Sequence, residues 1–441
     1  MRTKRRGILV LLAFSLLIAG ALVAGASYQE SVGEELRTAR LTGQIVEYQA
    51  EVAAIRAAGL FRAGAILTTT FSALSLLVSF APRPMRLLAG NLIVFIGLLL
   101  VVELATRVLG IHVPAIGRPG LSGDFGLWVY DETKGWFHAP LTTGESFFGG
   151  PDRGTVRINS LGLRGAEPRL ESPETTRVLV FGDSYVFGVG VDEEHLLTTH
   201  LERWLEPYFP NGVEVVNMGM AGYSTDQELI LWRELGVHLD PEIVILVVCD
   251  NDYQANSEDF AWRQYYKPYL DIDDEERLHL RNVPVPQLSR FQRVKLWLGR
   301  ESNVWNFVRS RESDNPLLQK LVQAFQVDVS RSPRQPYRTT RAIVKTFVEE
   351  VRRAGAWILV TSAGRRGENP AAFATLSPVL VDEGVDSIDL LPVLEAARER
   401  EPRRHWDFPG DRHWNRDAHE LAAQTIFEYL RQHYLEAERT P

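Results

Sequence analysis

Cysteine is almost absent from this chain, which has one, Cys249, in 441 residues. A single thiol excludes an intramolecular disulfide and any zinc site built from several cysteines. Basic charge is also scarce, because 56 acidic residues outweigh 48 basic ones and give a formal net charge of -8. Phosphate contacts need clustered Lys and Arg, which here are scattered, so we expect no nucleic-acid partner.

Metal-ligand spacings, internal repeats and low-complexity tracts are missing as well. His405, Asp407 and His413 resemble a metal cluster only loosely, because no pair of them has the tight spacing that metal motifs show. We therefore expect neither a bound metal nor another cofactor.

Long hydrophobic runs are present near the N-terminus, at residues 7–26, 63–81 and 87–105. No charge interrupts them before Glu103, and each has the length needed to cross a hydrocarbon core of about 30 Å. The alternatives are buried helices of a soluble domain and, for the first run, a cleaved signal peptide. We favour three transmembrane helices within residues 1–106, the first of them uncleaved, because that run exceeds the usual signal core of roughly 7–15 residues.

Positive charge predicts the orientation of these helices. The stretches "RTKRR" before the first run and "PRPMR" between the second and third should both be cytoplasmic. The chain after residue 106 then lies on the extracytoplasmic side of the cytoplasmic (inner) membrane, with the bilayer as a partner.

Beyond the membrane region, residues 107–154 are rich in Gly, Pro and aromatics and have no helical period, which predicts a loop-rich connector. Apolar strands then alternate with helices from 155 to 436, and the strands lack polar alternation. This pattern predicts a doubly wound α/β domain whose parallel sheet is covered on both faces. More than 80 residues separate the third strand from the helix near 339, so an insertion is expected at 253–338.

Polar segments follow the strands at the edge where open α/β sheets bind ligands. The first strand leads into "GDSY" with Ser184, the second into "NMGMAGYS" with Gly222, and the third into "CDNDYQAN" with Asn251. A fourth segment, "PGDRHWNRDAH", brings Asp411 and His413 just before the last helix.

These residues match what acyl transfer requires. A serine hydroxyl is a weak nucleophile near pH 7 and needs a general base such as His413, which a carboxylate such as Asp411 holds in the correct tautomer. Three fixed donors can then stabilise the oxyanion: the backbone N–H groups of Ser184 and Gly222 and the side-chain amide of Asn251.

Neighbouring residues leave two readings open. Tyr185, Phe187 and Tyr223 flank the nucleophile and the glycine, where they can wall an acyl pocket or pack against one another. Among the other histidines, His419 is expected to be structural and His200 to be solvated on a surface helix.

The four segments together resemble the SGNH (GDSL-type) hydrolase superfamily over residues 155–434. The "INSLGLRG" lead-in is similar to one found in membrane-attached bacterial members. The resemblance assigns the four name-giving roles to Ser184, Gly222, Asn251 and His413.

The chain departs from the family pattern in two places. Cys249 replaces the glycine of the usual G-x-N-D block, and the acid stands two residues before His413 where three is common. Polysaccharide O-acetyltransferase relatives also show D-x-H-W, so Asp411 is the assigned acid and Asp407 the reserve.

The resemblance implies a flavodoxin-like sheet of the SGNH type and an anchored, extracytoplasmic serine esterase or acyltransferase. The expected substrate is an O-acylated, above all O-acetylated, glycan or a small ester. Two alternatives remain: a lipid-ester hydrolase, and a non-catalytic scaffold of a polysaccharide export system. Acyl length, hydrolysis against transfer, and oligomeric state stay open.

Overall fold

The computed structural model describes residues 127–146, 154–261, 265–290, 336–367, 369, 371–408 and 412–436, with shorter pieces between 17 and 106 and between 292 and 320. The chain divides into two units. One joins Met1–Arg118 with Arg293–Gln326, and the other joins Pro119–Gln292 with Val327–Pro441. The predicted insertion is therefore split, because its residues 253–292 belong to the second unit and residues 293–326 to the first.

The first unit contains helical residues 17–33 and a two-residue strand, β1 (Val46–Glu47). Of the helices that the described residues form, none combines the length and the apolar character needed to cross a bilayer. Much of the predicted spans 7–26, 63–81 and 87–105 lies outside the described residues.

Within this unit, Glu103 caps the helix Asn303–Ser310. Its carboxylate accepts hydrogen bonds from Ser302 Oγ and Val304 N, each at 3.0 Å. A carboxylate at a helix N-terminus satisfies free N–H groups and complements the helix dipole. The end of the third apolar run is thus tied to a helix about 200 residues later in the chain.

The second unit begins with two antiparallel hairpins. Their strands are β2 (Trp128–Asp131), β3 (Gly135–His138), β4 (Thr142–Ser146) and β5 (Gly154–Ile158). The prediction of a loop-rich connector is wrong for this stretch. Two of its glycines lie within strands, Gly135 at the start of β3 with φ +88° and Gly144 in β4, and its aromatics pack, as the stacked rings of Trp128 and Trp136 do at 5.6 Å.

Five parallel strands form the central sheet of this unit. They are β6 (Thr176–Phe181), β7 (Val213–Asn217), β8 (Ile243–Val248), β13 (Trp357–Ser362) and β14 (Asp386–Ile388). The numbers β9 to β12 belong to four short strands of the insertion. Their order across the sheet is β7-β6-β8-β13-β14. This is the flavodoxin-like order, so the predicted doubly wound fold is confirmed.

The insertion strands pair into two antiparallel hairpins. They are β9 (Phe260–Ala261) with β10 (Tyr265–Tyr266), and β11 (Tyr269–Ile272) with β12 (Leu278–Arg281).

Helices cover both faces of the sheet. In chain order they are α1 (Ser184–Phe187), α2 (Leu197–Leu205), α3 (Thr225–Glu234), α4 (Asp252–Ala255), α5 (Pro336–Arg353), α6 (Ala371–Ala374), α7 (Ser377–Asp382), α8 (Leu390–Arg400) and α9 (Arg416–Leu430), the last continuing as a π-helical turn, Arg431–Leu435.

The strands alternate their side chains between two apolar layers, as a period of two requires. Leu179 and Phe181 of β6 pack with α3 and α5 on one face, whereas Val178 and Val180 pack with α2, α8 and α9 on the other. Both faces are buried, which explains why these strands carry no polar alternation.

Candidate active site

Ser184 follows the central strand β6 as the first residue of the one-turn helix α1. The helix is capped by Asp183, whose Oδ1 accepts a hydrogen bond from Tyr185 N at 2.9 Å. Gly182 is needed just before the cap, because a Cβ there would lie 2.4 Å from Val186 Cγ2. The Ser184 hydroxyl is therefore not used for capping, and the side chain is 9% exposed.

His413 reaches the serine from a distant part of the chain. Its Nε2 lies 2.7 Å from Ser184 Oγ, although 229 residues separate the two. This is the distance at which an imidazole can take a proton from a hydroxyl. The convergence of the first and last segments, predicted from their motifs, is thus present in the structure.

Tyr185 fixes the histidine in place. Its ring stacks on the His413 imidazole with centroids 4.9 Å apart, and its hydroxyl donates to the Arg412 carbonyl at 2.8 Å. The Trp414 ring packs edge-on against the Tyr185 ring, with centroids 5.1 Å apart. Tyr185 therefore holds the His413 imidazole, the candidate general base, in position, and the sequence pattern did not reveal this contact.

The position of the segment after His413 is fixed by the N-cap of helix α9. Asn415 Oδ1 accepts from Asp417 N and Ala418 N at the start of α9, and its Nδ2 donates to the His405 carbonyl at 2.5 Å. An asparagine N-cap satisfies helix N–H groups that have no partner within the helix. The asparagine of "DRHWN" thus begins the last helix and ties it to the preceding loop.

The predicted carboxylate, Asp411, lies outside the described residues. Asp407, the reserve, is bound by Arg398 through two contacts, at 2.8 and 3.2 Å. Burial raises the pKa of the Asp407 carboxyl, and the Arg398 guanidinium opposes that rise. Since its carboxylate is held by an arginine, Asp407 is the weaker candidate for orienting His413.

Asp183 is a second carboxyl near the imidazole. Burial raises the pKa of Asp183, while the Tyr185 N–H and the nearby His413 lower it. Its side chain is 2% exposed and its Oδ1 is occupied by the Tyr185 amide. Its position explains the aspartate of "GDS": it caps α1 through the Tyr185 amide and places a carboxyl group near His413.

Two of the predicted oxyanion donors follow the strands on either side of β6. Gly222, after β7, has φ +82°, a left-handed conformation that glycine adopts at little cost. Asn251 precedes α4 after β8 and is exposed. Because β7, β6 and β8 are neighbours in the sheet, the segments of Ser184, Gly222 and Asn251 leave the same sheet edge side by side.

The other predicted pocket residues are core residues. Phe187 and Tyr223 are 3% and 1% exposed. The Tyr223 hydroxyl donates to the Trp136 carbonyl at 2.5 Å, and burial raises its pKa. A cavity of about 900 Å³ elsewhere in this unit is lined by neither Ser184 nor His413.

Two further histidines, His419 and His200, are buried in the core. His419 is 1% exposed, and its Nδ1 accepts from Leu197 N at 3.1 Å, at the start of α2. Burial lowers its pKa to about 3, so it stays neutral. His200, expected to be solvated, is 6% exposed because it shares the inward face of α2 with Leu197 and Leu201.

An ion pair missed from the sequence borders this site. Arg365, in the segment after β13, binds Asp250 at 2.5 Å. The guanidinium is close enough to the Asp183 carboxyl to lower the pKa of that group. The two partners are 115 residues apart, so no short sequence motif predicts the pair.

Buried carboxyls form a cluster behind the loop of Asn251. Asp252 Oδ2 accepts from Cys249 N at 2.9 Å and from Thr225 Oγ1 at 3.1 Å. Glu228 of α3 is also fully buried. Burial raises the pKa of both carboxyls well above the usual range. Repulsion from Asp252 adds to the rise at Glu228, and repulsion from Asp183 adds to the rise at Asp252.

This cluster predicts a pH-dependent gain in stability for Glu228→Met. Because the folded pKa is raised, stability is lost as pH rises from the unfolded value near 4.5 towards the higher folded value, since the folded state keeps a proton that the unfolded state has released. The variant lacks this loss, which amounts to at most about 1.4 kcal/mol per pH unit. Thermal melts should therefore show Glu228→Met gaining on the wild type between pH 5 and pH 8.

The exposed Glu194 supplies the control, because Glu194→Met should follow the wild type at every pH. An unchanged difference between Glu228→Met and wild type from pH 5 to pH 8 would contradict the assignment.

No group of three or more His, Cys, Asp or Glu residues is placed to hold a metal ion in the part of the chain that the structure describes.

Comparisons with known proteins give similarity to solved structures alone. No family model matches the chain, and no curated protein matches it. A lipase/acylhydrolase from Enterococcus faecalis shares 13% identity at a TM-score of 0.34, over 58% of this chain and 95% of that one. A two-domain esterase active on acetylated mannans shares 14% at 0.33, over 60% of this chain and half (50%) of that one.

An acetylxylan esterase from Geobacillus stearothermophilus shares 14% identity at a TM-score of 0.32, over 57% of this chain and 93% of that one. At such identities and TM-scores, the function of this chain has to be argued from its own residues.

Proposed function

We propose that this protein is a serine ester hydrolase or acyltransferase with Ser184 as nucleophile. The observation that carries the proposal is the 2.7 Å separation of Ser184 Oγ and His413 Nε2. A buried serine at a strand exit, paired with an imidazole that a tyrosine holds in place, is the arrangement that nucleophilic catalysis requires.

The reaction proceeds in two halves. In the first, Ser184 Oγ attacks the ester carbonyl as its proton passes to His413 Nε2, and the imidazolium returns that proton to the departing alkoxide. In the second, water or a sugar hydroxyl gives its proton to His413 and attacks the acyl-enzyme carbonyl. The bond to Ser184 Oγ then breaks as the imidazolium returns the proton to that oxygen, which releases the acid or the new ester and restores the serine. Asp411 serves as the carboxylate that orients the imidazole, as its place in the motif implies.

The substrate we propose is an O-acetylated carbohydrate. The resemblance of the four motifs to the SGNH superfamily supports this class, and the esterases reported above act on acetylated mannans or are acetylxylan esterases. Acetyl release from an acetylated xylo- or manno-oligosaccharide, followed with and without a free acceptor glycan, tests the proposal. Release that needs Ser184 supports it, and capture of the acetyl group by the acceptor identifies a transferase.

The protein is proposed to be anchored in a membrane with this domain on the extracytoplasmic side. Three long apolar runs, without a charge before Glu103, support anchoring, and so do large apolar side chains that are exposed on helical segments, such as Leu17 (72%), Val23 (53%) and Leu98 (58%). Exposed apolar groups of this size commonly mark a membrane or partner surface. Extraction of the full chain by detergent but not by alkaline carbonate tests this part.

Lipid-ester hydrolysis is the second candidate. The helix Asn303–Ser310 exposes Phe307 (56%) and is capped by Glu103, which ends the third apolar run. Because this helix is bound to the end of the third apolar run, it lies near the bilayer in the proposed membrane-anchored protein. Faster turnover of long-chain than of acetyl p-nitrophenyl esters would favour this candidate over the carbohydrate esterase.

The oxyanion assignment gives a prediction for Asn251. Replacing it by alanine removes one preorganised donor, so kcat for p-nitrophenyl acetate should fall by about 10²–10³-fold with little change in KM. The exposed side chain makes no packing contribution comparable to a core residue, so the thermal midpoint should stay near that of the wild type. An Asn251→Ala enzyme with wild-type kcat would remove this residue from the oxyanion hole.

A further inference from the structure

Arg164 is a buried cation in the lead-in segment "INSLGLRG". It is 2% exposed, and burial lowers its pKa to about 10. Its backbone bridges Ile158 at the end of β5 and Asn217 at the end of β7. Burying a charge in this way costs several kcal/mol unless hydrogen bonds compensate it.

The guanidinium donates to four backbone carbonyls. Nη1 lies 2.6 Å from the Phe187 oxygen and 2.7 Å from the Gly188 oxygen, and Nη2 lies 2.8 Å from the Thr155 oxygen and 2.5 Å from the Val191 oxygen. A planar guanidinium presents its N–H groups in fixed directions, so four acceptors can be held at once. An ammonium group has fewer donors and no such plane.

The first two acceptors are the end of the helix that carries the nucleophile. Helix α1 has four residues, and its last carbonyls have no partner within the helix. Asn217 Nδ2 binds the Val186 oxygen at 2.8 Å, and Arg164 binds the next two. A one-turn helix is not stable by itself, so these external donors hold the turn on which Ser184 stands.

Close packing around Gly188 restricts movement of the contact between the Arg164 guanidinium and the Gly188 carbonyl. Gly188 has φ +81°, and a Cβ there would lie 2.1 Å from Leu196 Cδ2 and 3.2 Å from Arg164 Nη1. The guanidinium also lies over the Phe187 ring, 5.0 Å from its centroid. A movement of Arg164 would therefore be transmitted to α1 directly.

We propose that Arg164 is a positioning residue for catalysis, which holds α1 so that Ser184 Oγ stays within reach of His413 Nε2. It touches neither the reacting atoms nor the base. This role rests on the proposed function of Ser184. It assigns to the lead-in arginine a part in turnover that goes beyond stabilising the fold.

The test compares Arg164→Lys and Arg164→Met with Arg157→Met in the full chain. Arg157 is a matched control because it pairs with Glu193 on the surface, with its side chain 46% exposed. Sites that react with a fluorophosphonate are counted at completion, and kcat and KM for p-nitrophenyl acetate are expressed per reactive site. Misplacement of a reacting group by about 1 Å can cost about 10²-fold, so kcat per site should fall about 10²-fold in Arg164→Met and about tenfold in Arg164→Lys, with KM within about twofold.

Expressing kcat per reactive site separates an effect on the position of Ser184 from an effect on the stability of the fold. If Arg164 only stabilises the fold, its variants lose reactive sites and thermal midpoint but keep the wild-type kcat per site, which overturns the proposal. Should Arg164→Met not fold, Arg164→Lys decides alone, with Asn217→Ala as a second probe of the same helix end.

A wild-type enzyme without Ser184-dependent turnover ends the proposed function, and the role of Arg164 with it. An active wild type matched by Arg164→Lys ends the Arg164 proposal alone.

Discussion

Ester turnover should fall by about 10⁴–10⁶-fold when either Ser184 or His413 is replaced by alanine. In the proposed mechanism the serine forms the acyl-enzyme, and the histidine, whose Nε2 lies 2.7 Å from the serine oxygen, receives its proton. Because the two act as one unit, the double variant Ser184→Ala/His413→Ala should lose no more than the worse single variant. The measurement is kcat and kcat/KM for p-nitrophenyl acetate with the full chain.

Matched controls distinguish loss of the site from loss of the fold. Ser387 and His433 are exposed residues of the same unit, so Ser387→Ala and His433→Ala should keep wild-type rates. Equal turnover in the wild type and in both site variants would leave a binding or scaffold role as the better account, because a catalytically silent relative does not need this pair.

A second large effect is expected from Lys267→Met, which should destabilise the protein by about 3–5 kcal/mol. Lys267 Nζ lies 2.6 Å from Asp226 Oδ2, with the two side chains 1% and 0% exposed. Nζ also donates to the Ala255 carbonyl at 2.9 Å. Removing the cation leaves a carboxylate buried without its counter-charge, and this costs more than the pair itself contributes.

Urea unfolding at pH 7.5 measures the loss, and a second substitution shows its cause. Lys267→Met/Asp226→Asn should recover much of the stability, because the uncompensated charge is then gone. Lys345→Met, at a surface lysine whose side chain is 50% exposed, should stay within about 0.5 kcal/mol of the wild type. A double variant as unstable as Lys267→Met would show that the lost packing of the lysine stem, and not the buried charge, is responsible.

The central sheet could be read from the sequence because each of its strands is a short apolar run between helical patterns. The strand Val213–Asn217 is the short run "VEVVN", and the strand Ile243–Val248 is the run "IVILVV". The pairing of Ser184 with His413 could be read too, because parallel strands bring their carboxyl ends to one edge and the motifs mark which ends carry chemistry.

The hairpins before the sheet could not be read in the same way. Glycine, proline and aromatics in "VPAIGRPGLSGDFGLWVYDETKGWFHAP" are typical of loops, and the strands β2 and β3 are four residues each, too short for a clear period. Their stability comes from packing against residues far along the chain, as in the hydrogen bond of Tyr223 to Trp136.

The contacts that support the site could not be predicted from the sequence, for a different reason. Arg164 binds backbone carbonyls, which every residue has, so the sequence carries no sign of its partners. Lys267 and Asp226 are 41 residues apart, and Tyr185 could equally have lined a pocket. Contacts of this kind depend on where the folded backbone passes, and motif spacing does not encode that path.

Mapping the site of a fluorophosphonate adduct by mass spectrometry tests the central claim most directly. We expect the phosphonyl group on Ser184 of the wild-type full chain, with labelling strongly slowed in His413→Ala, because only an activated serine reacts at neutral pH. An adduct on another residue, or labelling of Ser184 at the same rate with and without His413, would contradict the proposed nucleophile and base.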